Sequence, residues 1–211
     1  MPPIADSVLI ILLLTNFFIL GTASLRSVIR VVALQGILLA LLPLYVESHA
    51  TFRLVAIVAM TAGIKGIAIP AFLFKAIRDV HIHHEVEPYL GFIPSLFLCA
   101  VGTAGALLFA DMLPLAAAHK SGLFVPAALA TLLAGFLVLT TRRKAISQVA
   151  GYLMLENGIY VFGLLLYQSM LVEVGVLLDL VVGIFVMGIV LNHIQREFSS
   201  LDTENLSRLR E

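Results

Sequence analysis

Three side chains could do chemistry in unusual surroundings: Lys65, Glu156 and Asp179 each lie within a long run of apolar residues. An ionisable group at the centre of such a run costs about 2.5–3.5 kcal/mol on membrane-insertion scales, so the three together cost on the order of 8–10 kcal/mol before compensation. Pairing with each other, with a partner subunit or with water must supply that compensation. Burial disfavours the charged form of an ionisable group, which ties its charge to the arrival or departure of a proton or cation. The chemistry that fits is a chain of titratable groups for protons or cations. Asn157, Tyr152 and Tyr160 flank Glu156 as relay candidates. The competing reading is structural, a buried ion pair or hydrogen-bonded carboxylate that fixes helix packing.

The elements that must position these residues follow from composition. The 211 residues are 61% hydrophobic and only 12% charged, with 13 basic and 13 acidic side chains giving a net charge of zero, and the mean hydropathy is +1.07. A soluble domain carries about 25% charged residues. The chain is therefore an integral membrane protein, which excludes the soluble-enzyme, DNA-binding and disulfide-scaffold classes. Cys99 is the only cysteine, so no internal disulfide, CxxC motif or all-cysteine cluster site can form within it.

A helix crossing a hydrocarbon core of ~30 Å needs about 20 mostly apolar residues. Seven stretches qualify: Ile4 to Leu20, Val28 to Val46, Phe52 to Ile77, Tyr89 to Ala110, Leu123 to Thr141, Ala145 to Tyr167 and Leu171 to Asn192. The expected fold is an all-α integral membrane protein of about seven transmembrane helices. Segments after the first, third, fifth and seventh spans hold Arg26, Arg30, Lys75, Arg78, Arg142, Arg143, Lys144, Arg196, Arg208 and Arg210, whereas the opposite side holds only Arg53 and Lys120. The positive-inside rule then places the N-terminus outside and the C-terminus in the cytoplasm. Met1-Pro2-Pro3 provides no positive n-region, so the first span reads as a retained anchor and not a cleaved signal. The expected location is the inner (cytoplasmic) membrane, multi-pass.

A short connection from Gln168 to Met170 makes spans six and seven antiparallel neighbours, with Glu156 and Asp179 about 10–12 Å apart by helical rise and interaxial distance. Glu173 falls at the outer end of span seven, where a solvated carboxylate is expected. Small residues recur at Gly151, Gly158 and Gly163 in span six and at Gly175, Gly183 and Gly188 in span seven, and these let helix backbones approach closely in lipid. Pro70, five residues after Lys65, is expected to free a carbonyl and kink span three. His81, His83, His84 and Glu85 cluster in one loop, but closely spaced histidines rarely satisfy tetrahedral geometry alone, and a solvated loop is the expected reading. No phosphate loop or nucleotide fingerprint occurs. A rhodopsin is disfavoured because Lys65 lies on the third span and the chain has no tryptophan. Haem ligation is disfavoured because all six histidines lie in loops or at membrane edges.

The segment Thr141-Arg142-Arg143-Lys144, followed by Gly151-Tyr152-Leu153-Met154-Leu155-Glu156-Asn157-Gly158-Ile159-Tyr160, resembles the hydrogenase-4 component E family. These are membrane subunits of group 4 nickel–iron hydrogenase and formate hydrogenlyase complexes. The tail Arg196-Glu197-Phe198-Ser199-Ser200-Leu201-Asp202-Thr203 looks like the ending of component E. The last three spans resemble subunit K of respiratory complex I and its counterpart in multisubunit cation/proton antiporters. The basic loop, Gly151, Asn157 and Asp179 fall in register with subunit K. Subunit K places a glutamate where this chain has Leu153, so Glu156 is displaced by about one helical turn. The resemblance covers about 90 C-terminal residues, and the first four spans match in general layout.

The resemblance implies a four-helix membrane region over 1–121, a three-helix region similar to subunit K over 122–194, and a cytoplasmic tail over 195–211. It implies a non-redox membrane subunit with no catalytic centre of its own, contributing Glu156, Asp179, Lys65 and Asn157 to proton or sodium translocation coupled to electron transfer elsewhere. No cofactor or metal is expected on this chain, and the nickel–iron centre and iron–sulfur clusters are expected in partner subunits. The implied partners are antiporter-like membrane subunits, hydrophilic hydrogenase subunits and the lipid bilayer, with no nucleic acid. A purely structural scaffold of the same complex and a subunit of a cation/proton antiporter are the alternatives.

Overall fold

The computed structural model describes residues 3–46, 51–79, 88–112, 122–165 and 188. The expected seventh span, Asp179, Glu173, the histidine cluster and the tail lie outside the described residues. Among the described residues every regular element is a helix: α1 (Pro3–Gly21), α2 (Leu25–Leu41), α3 (Pro43–Val46), α4 (Phe52–Gly63), α5 (Ile69–Asp79), α6 (Phe92–Met112), α7 (Phe124–Thr141) and α8 (Ala145–Leu165). Among the described residues, five segments are long and apolar enough to cross a membrane: Ile4–Gly21, Leu25–Tyr45, Phe52–Arg78, Phe92–Ala110 and Phe124–Thr141. They coincide with the first five stretches expected from the sequence. α8 covers most of the sixth.

Two helices begin on side-chain caps. Ser24 accepts a hydrogen bond from the Ser27 amide ahead of α2, and Thr51 accepts one from the Leu54 amide ahead of α4. Each satisfies one of the amides that the first turn of a helix leaves without a partner.

Span three departs from a regular helix at Ile64–Ala68, a π turn between α4 and α5. There the Ile69 amide bonds the Ile64 carbonyl, five residues back. Pro70 explains the location, because proline has no amide hydrogen and its ring clashes with the carbonyl four residues earlier. The expected disruption near Lys65 therefore takes the form of one wide turn inside a continuous Phe52–Arg78 span. Lys65 itself sits in the wide turn.

α7 and α8 form the tightest pair, and glycine makes it possible. A Cβ at Gly151 would come within 2.6 Å of the Leu139 amide nitrogen, and one at Gly158 within 2.7 Å of that of Leu132. Gly135 faces the Leu155 and Gly151 backbone in the same way. The close approach expected of Gly151 and Gly158 is thus direct backbone contact, with Gly135 as their counterpart on α7. At such range dispersion contacts replace the hydrophobic drive that is missing between helices in lipid.

The turn joining these helices buries a charge. Arg142 is 1% exposed, although the sequence reads it as part of a polar basic loop. Its Nη2 donates to the Leu20 carbonyl at 2.8 Å, in the last turn of α1, and its guanidinium lies 5.3 Å from the centre of the Phe92 ring. Burial lowers its pKa from the ordinary guanidinium value. The negative end of the α1 dipole and the aromatic face oppose that penalty. The Tyr89 amide also donates to the Thr141 carbonyl at 2.7 Å. The end of α1, the start of α6 and the end of α7 consequently meet at one end of the bundle.

Apolar side chains face outward as well as inward. α6 presents Ile93, Phe97 and Leu108 to the exterior at 81%, 67% and 68% exposure, as expected of a helix whose outer face meets lipid. Inside, two apolar clusters form. One contains Leu20, Ile29, Leu73, Ala134 and Met154, and the other contains Leu9, Leu12, Leu39, Phe124 and Val161. Along α1, α2, α7 and α8 these clusters are separated by buried polar residues, among them Asn16, Gln35, Thr131 and Asn157.

Candidate functional site

Those four polar residues, with Lys65 and Glu156, form a buried layer between the two apolar clusters. Lys65 reaches it from the π turn, and its Nζ lies 3.0 Å from Glu156 Oε1 on α8 with both side chains at 5% exposure or less. The same ammonium donates to Asn157 Oδ1 at 3.2 Å and lies 5.4 Å from the centre of the Tyr160 ring. Carboxylate, amide oxygen and aromatic face are all attractive to a cation. Gly36 on α2 makes room for the lysine stem, since a Cβ there would meet Lys65 Cβ at 2.7 Å.

From the ammonium a chain of side-chain amides runs across the bundle. Asn157 Nδ2 donates to Gln35 Oε1 at 3.5 Å, the longest link. Gln35 Nε2 donates to Asn16 Oδ1 at 3.0 Å and to Thr15 Oγ1 at 2.8 Å. Asn16 Nδ2 donates to Thr131 Oγ1 at 2.9 Å. Every amide turns its oxygen toward Lys65 and its nitrogen away. This head-to-tail order is complementary to a positive charge at one end, and each link polarises the next.

Three of the four sequence-derived site residues, Lys65, Glu156 and Asn157, therefore come together, while Asp179 lies outside the described residues. Tyr160 joins them through its ring face, whereas Tyr152 is exposed. Leu153 is buried one turn before Glu156, so both positions face the interior. Gln35, Asn16, Thr131 and Thr15 complete the layer without carrying charge. Their signal in the sequence is a lone amide or hydroxyl within an apolar span, which in lipid must find an internal partner. Thr61, one turn before Lys65, is also buried, and its hydroxyl has no hydrogen-bond partner among the described residues.

With a separation of 3.0 Å and an effective dielectric of about 20, the ion pair is worth roughly 5 kcal/mol before desolvation is subtracted. Neutralising Glu156 with a proton would remove that attraction. A shift of this size is enough to move a two-state equilibrium from about 1:99 to 99:1. The arrangement can therefore convert a change in carboxylate charge into a change in where the lysine sits.

Comparison with known proteins places the chain among relatives. It is 32% identical over 206 residues to "Uncharacterized protein Rv0085" of Mycobacterium tuberculosis, an alignment covering 95% of this chain and 93% of that one. The chain belongs to the Rv0085 family. A more distant similarity, 26% identity over 207 residues, links this Rv0085-family chain to "Hydrogenase-4 component E" of Escherichia coli K12, covering 95% and 94% of the two chains. The same values hold for the protein of that name in Shigella flexneri. Both alignments run nearly end to end, so the likeness extends well beyond the C-terminal 90 residues to which the motifs point. No family profile matches the Rv0085-family chain, and no solved structure matches it.

Proposed function

We propose that this chain is a non-redox membrane subunit of an energy-converting, hydrogenase-type complex, in which Lys65, Glu156 and Asn157, together with Asp179, handle a proton or sodium ion moved in step with electron transfer in partner subunits. In this reading it crosses the inner membrane seven times, with its N-terminus outside. Nickel–iron and iron–sulfur chemistry belongs to the partners. The distant similarity to hydrogenase-4 component E supports the type of complex. The observation that carries the ion-handling part is the Lys65–Glu156 pair, buried and continued by a polarised amide chain.

Glu156 accepts the arriving proton or cation, the hold on Lys65 weakens, and the lysine withdraws from the amide chain. Reversal restores the pair. The test is Glu156→Gln, alone and with Asp179→Asn, in the assembled complex reconstituted in vesicles. Electron transfer is expected to continue while ion uptake falls at least tenfold. Unchanged coupling in a correctly assembled double mutant refutes the reading.

The interhelical reach of the polar layer favours one second reading, a scaffold whose buried polar groups hold helices in place. It predicts that the same variants shed partner subunits on mild solubilisation. Co-purification in gentle detergent distinguishes these outcomes, and a nickel–iron large subunit among the captured proteins would establish the context.

A further inference from the structure

The Lys65 ammonium occupies a position built as a small ion's binding site is built. A carboxylate oxygen lies at 3.0 Å, an amide oxygen at 3.2 Å and an aromatic ring centre at 5.4 Å. The amide oxygen is held toward the charge from behind, because Asn157 Nδ2 is bound to Gln35, Gln35 to Asn16 and Asn16 to Thr131. Such preorganised dipoles would remain aimed at the same point if the ammonium left. A further oxygen with unused capacity, the buried Thr61 hydroxyl, lies one turn before Lys65 on the same helix. The ammonium that fills the position carries a single charge, so an ion that replaces it charge for charge is monovalent.

We infer that this cluster is a monovalent-cation site whose resident cation is Lys65 itself, tethered through its own side chain and exchangeable for a free ion of the sodium or ammonium class. The inference deepens the ion-handling reading and rests on it for its role in transport. Lys65 then acts as a built-in competitor. A mobile cation gains the Glu156, Asn157 and Tyr160 ligands only when the lysine withdraws, and the returning lysine expels it.

Lys65→Ala tests this by removing the tether and leaving the ligands. The complex carrying full-length Lys65→Ala chain, in mild detergent, is melted in sodium, ammonium, methylammonium or choline chloride at equal ionic strength. A site-bound ion at a hundredfold excess over its Kd is expected to raise the Tm by about 5 °C. Sodium, ammonium or methylammonium should do so in Lys65→Ala, and choline should not. Wild type, with the site filled, and Lys65→Ala/Glu156→Gln, with its carboxylate gone, should show no such difference between salts. A Lys65→Ala response equal in all four salts, or an equal ion-specific rise in the double variant, overturns the site.

If Lys65→Ala fails to accumulate, expression with millimolar methylammonium in the medium should restore it, and failure to restore it counts against the proposal. Full coupling in Lys65→Ala refutes the ion-handling reading while leaving the binding result to stand. Loss of coupling without ion-specific stabilisation refutes the site alone.

Discussion

Replacing Lys65 with methionine removes the ammonium and keeps most of the stem's volume, so the cost can be traced to charge. Glu156, at 2% exposure, would then lack the cation now 3.0 Å from it. Breaking a buried pair by deleting one partner costs about 3–5 kcal/mol, whereas replacing both charges is far less costly. At about 2–4 °C per kcal/mol for a chain of this length, Lys65→Met is expected to lower the Tm by roughly 10 °C. Glu156→Gln should do about the same by stranding the ammonium. The Lys65→Met/Glu156→Gln double variant should lose no more than either single one and far less than their sum, a coupling of at least about 3 kcal/mol. Thermal or denaturant melting of the four proteins in one detergent completes the cycle. Additive losses would mean that the two charges do not stabilise each other, and the proposed link between carboxylate charge and lysine position would fail.

Gln35→Leu cuts the amide chain, strands the Asn157 Nδ2 donor and the Asn16 oxygen, and should cost about 2–6 kcal/mol at the rate of a buried unsatisfied group each, measured by the same melts. Gly151→Leu should force α7 and α8 apart, since even a Cβ would meet the Leu139 nitrogen at 2.6 Å, and fluorescence-detected gel filtration should show little monodisperse protein. Arg142→Ala loses the bond to the Leu20 carbonyl and the Phe92 face and should destabilise by about 2 kcal/mol. Arg143→Ala, at an exposed position one residue on where the guanidinium lies 4.5 Å from the centre of the Tyr89 ring, should cost no more than about 1 kcal/mol.

Apolar length was enough to locate the first five spans, because a run of apolar residues is itself the physical requirement for crossing lipid. The site was legible where it carried charge: Lys65 and Glu156 are conspicuous because each would be costly alone. Their pairing was not legible, since 91 residues of chain separate them and nothing local records the tertiary register. Gln35 and Asn16 escaped notice for a different reason. A lone amide costs less to bury than a charge, so its presence in a span is a weaker signal until its partners are seen. Arg142 reads as one of three consecutive basic residues, and only the nearby end of α1 distinguishes it from Arg143. The partner of Gly151 was equally invisible, because Gly135 acquires its meaning from a helix that arrives later.

That order of arrival has a consequence for synthesis. Lys65 leaves the ribosome 91 residues before Glu156, which at about 5–20 residues per second is a wait of roughly 5–18 s. Gln35 and Asn16 already exist during that interval, yet the carboxylate, Asn157 and Tyr160 do not. The third span must therefore be held by the insertion machinery, or by water at its edge, with its charge uncompensated. α7 and α8, linked by three residues and seated on glycine, can close on each other first and deliver the whole set of counter-groups together. The first half of the protein is in this sense a template that stays unfinished until its last described hairpin enters the bilayer.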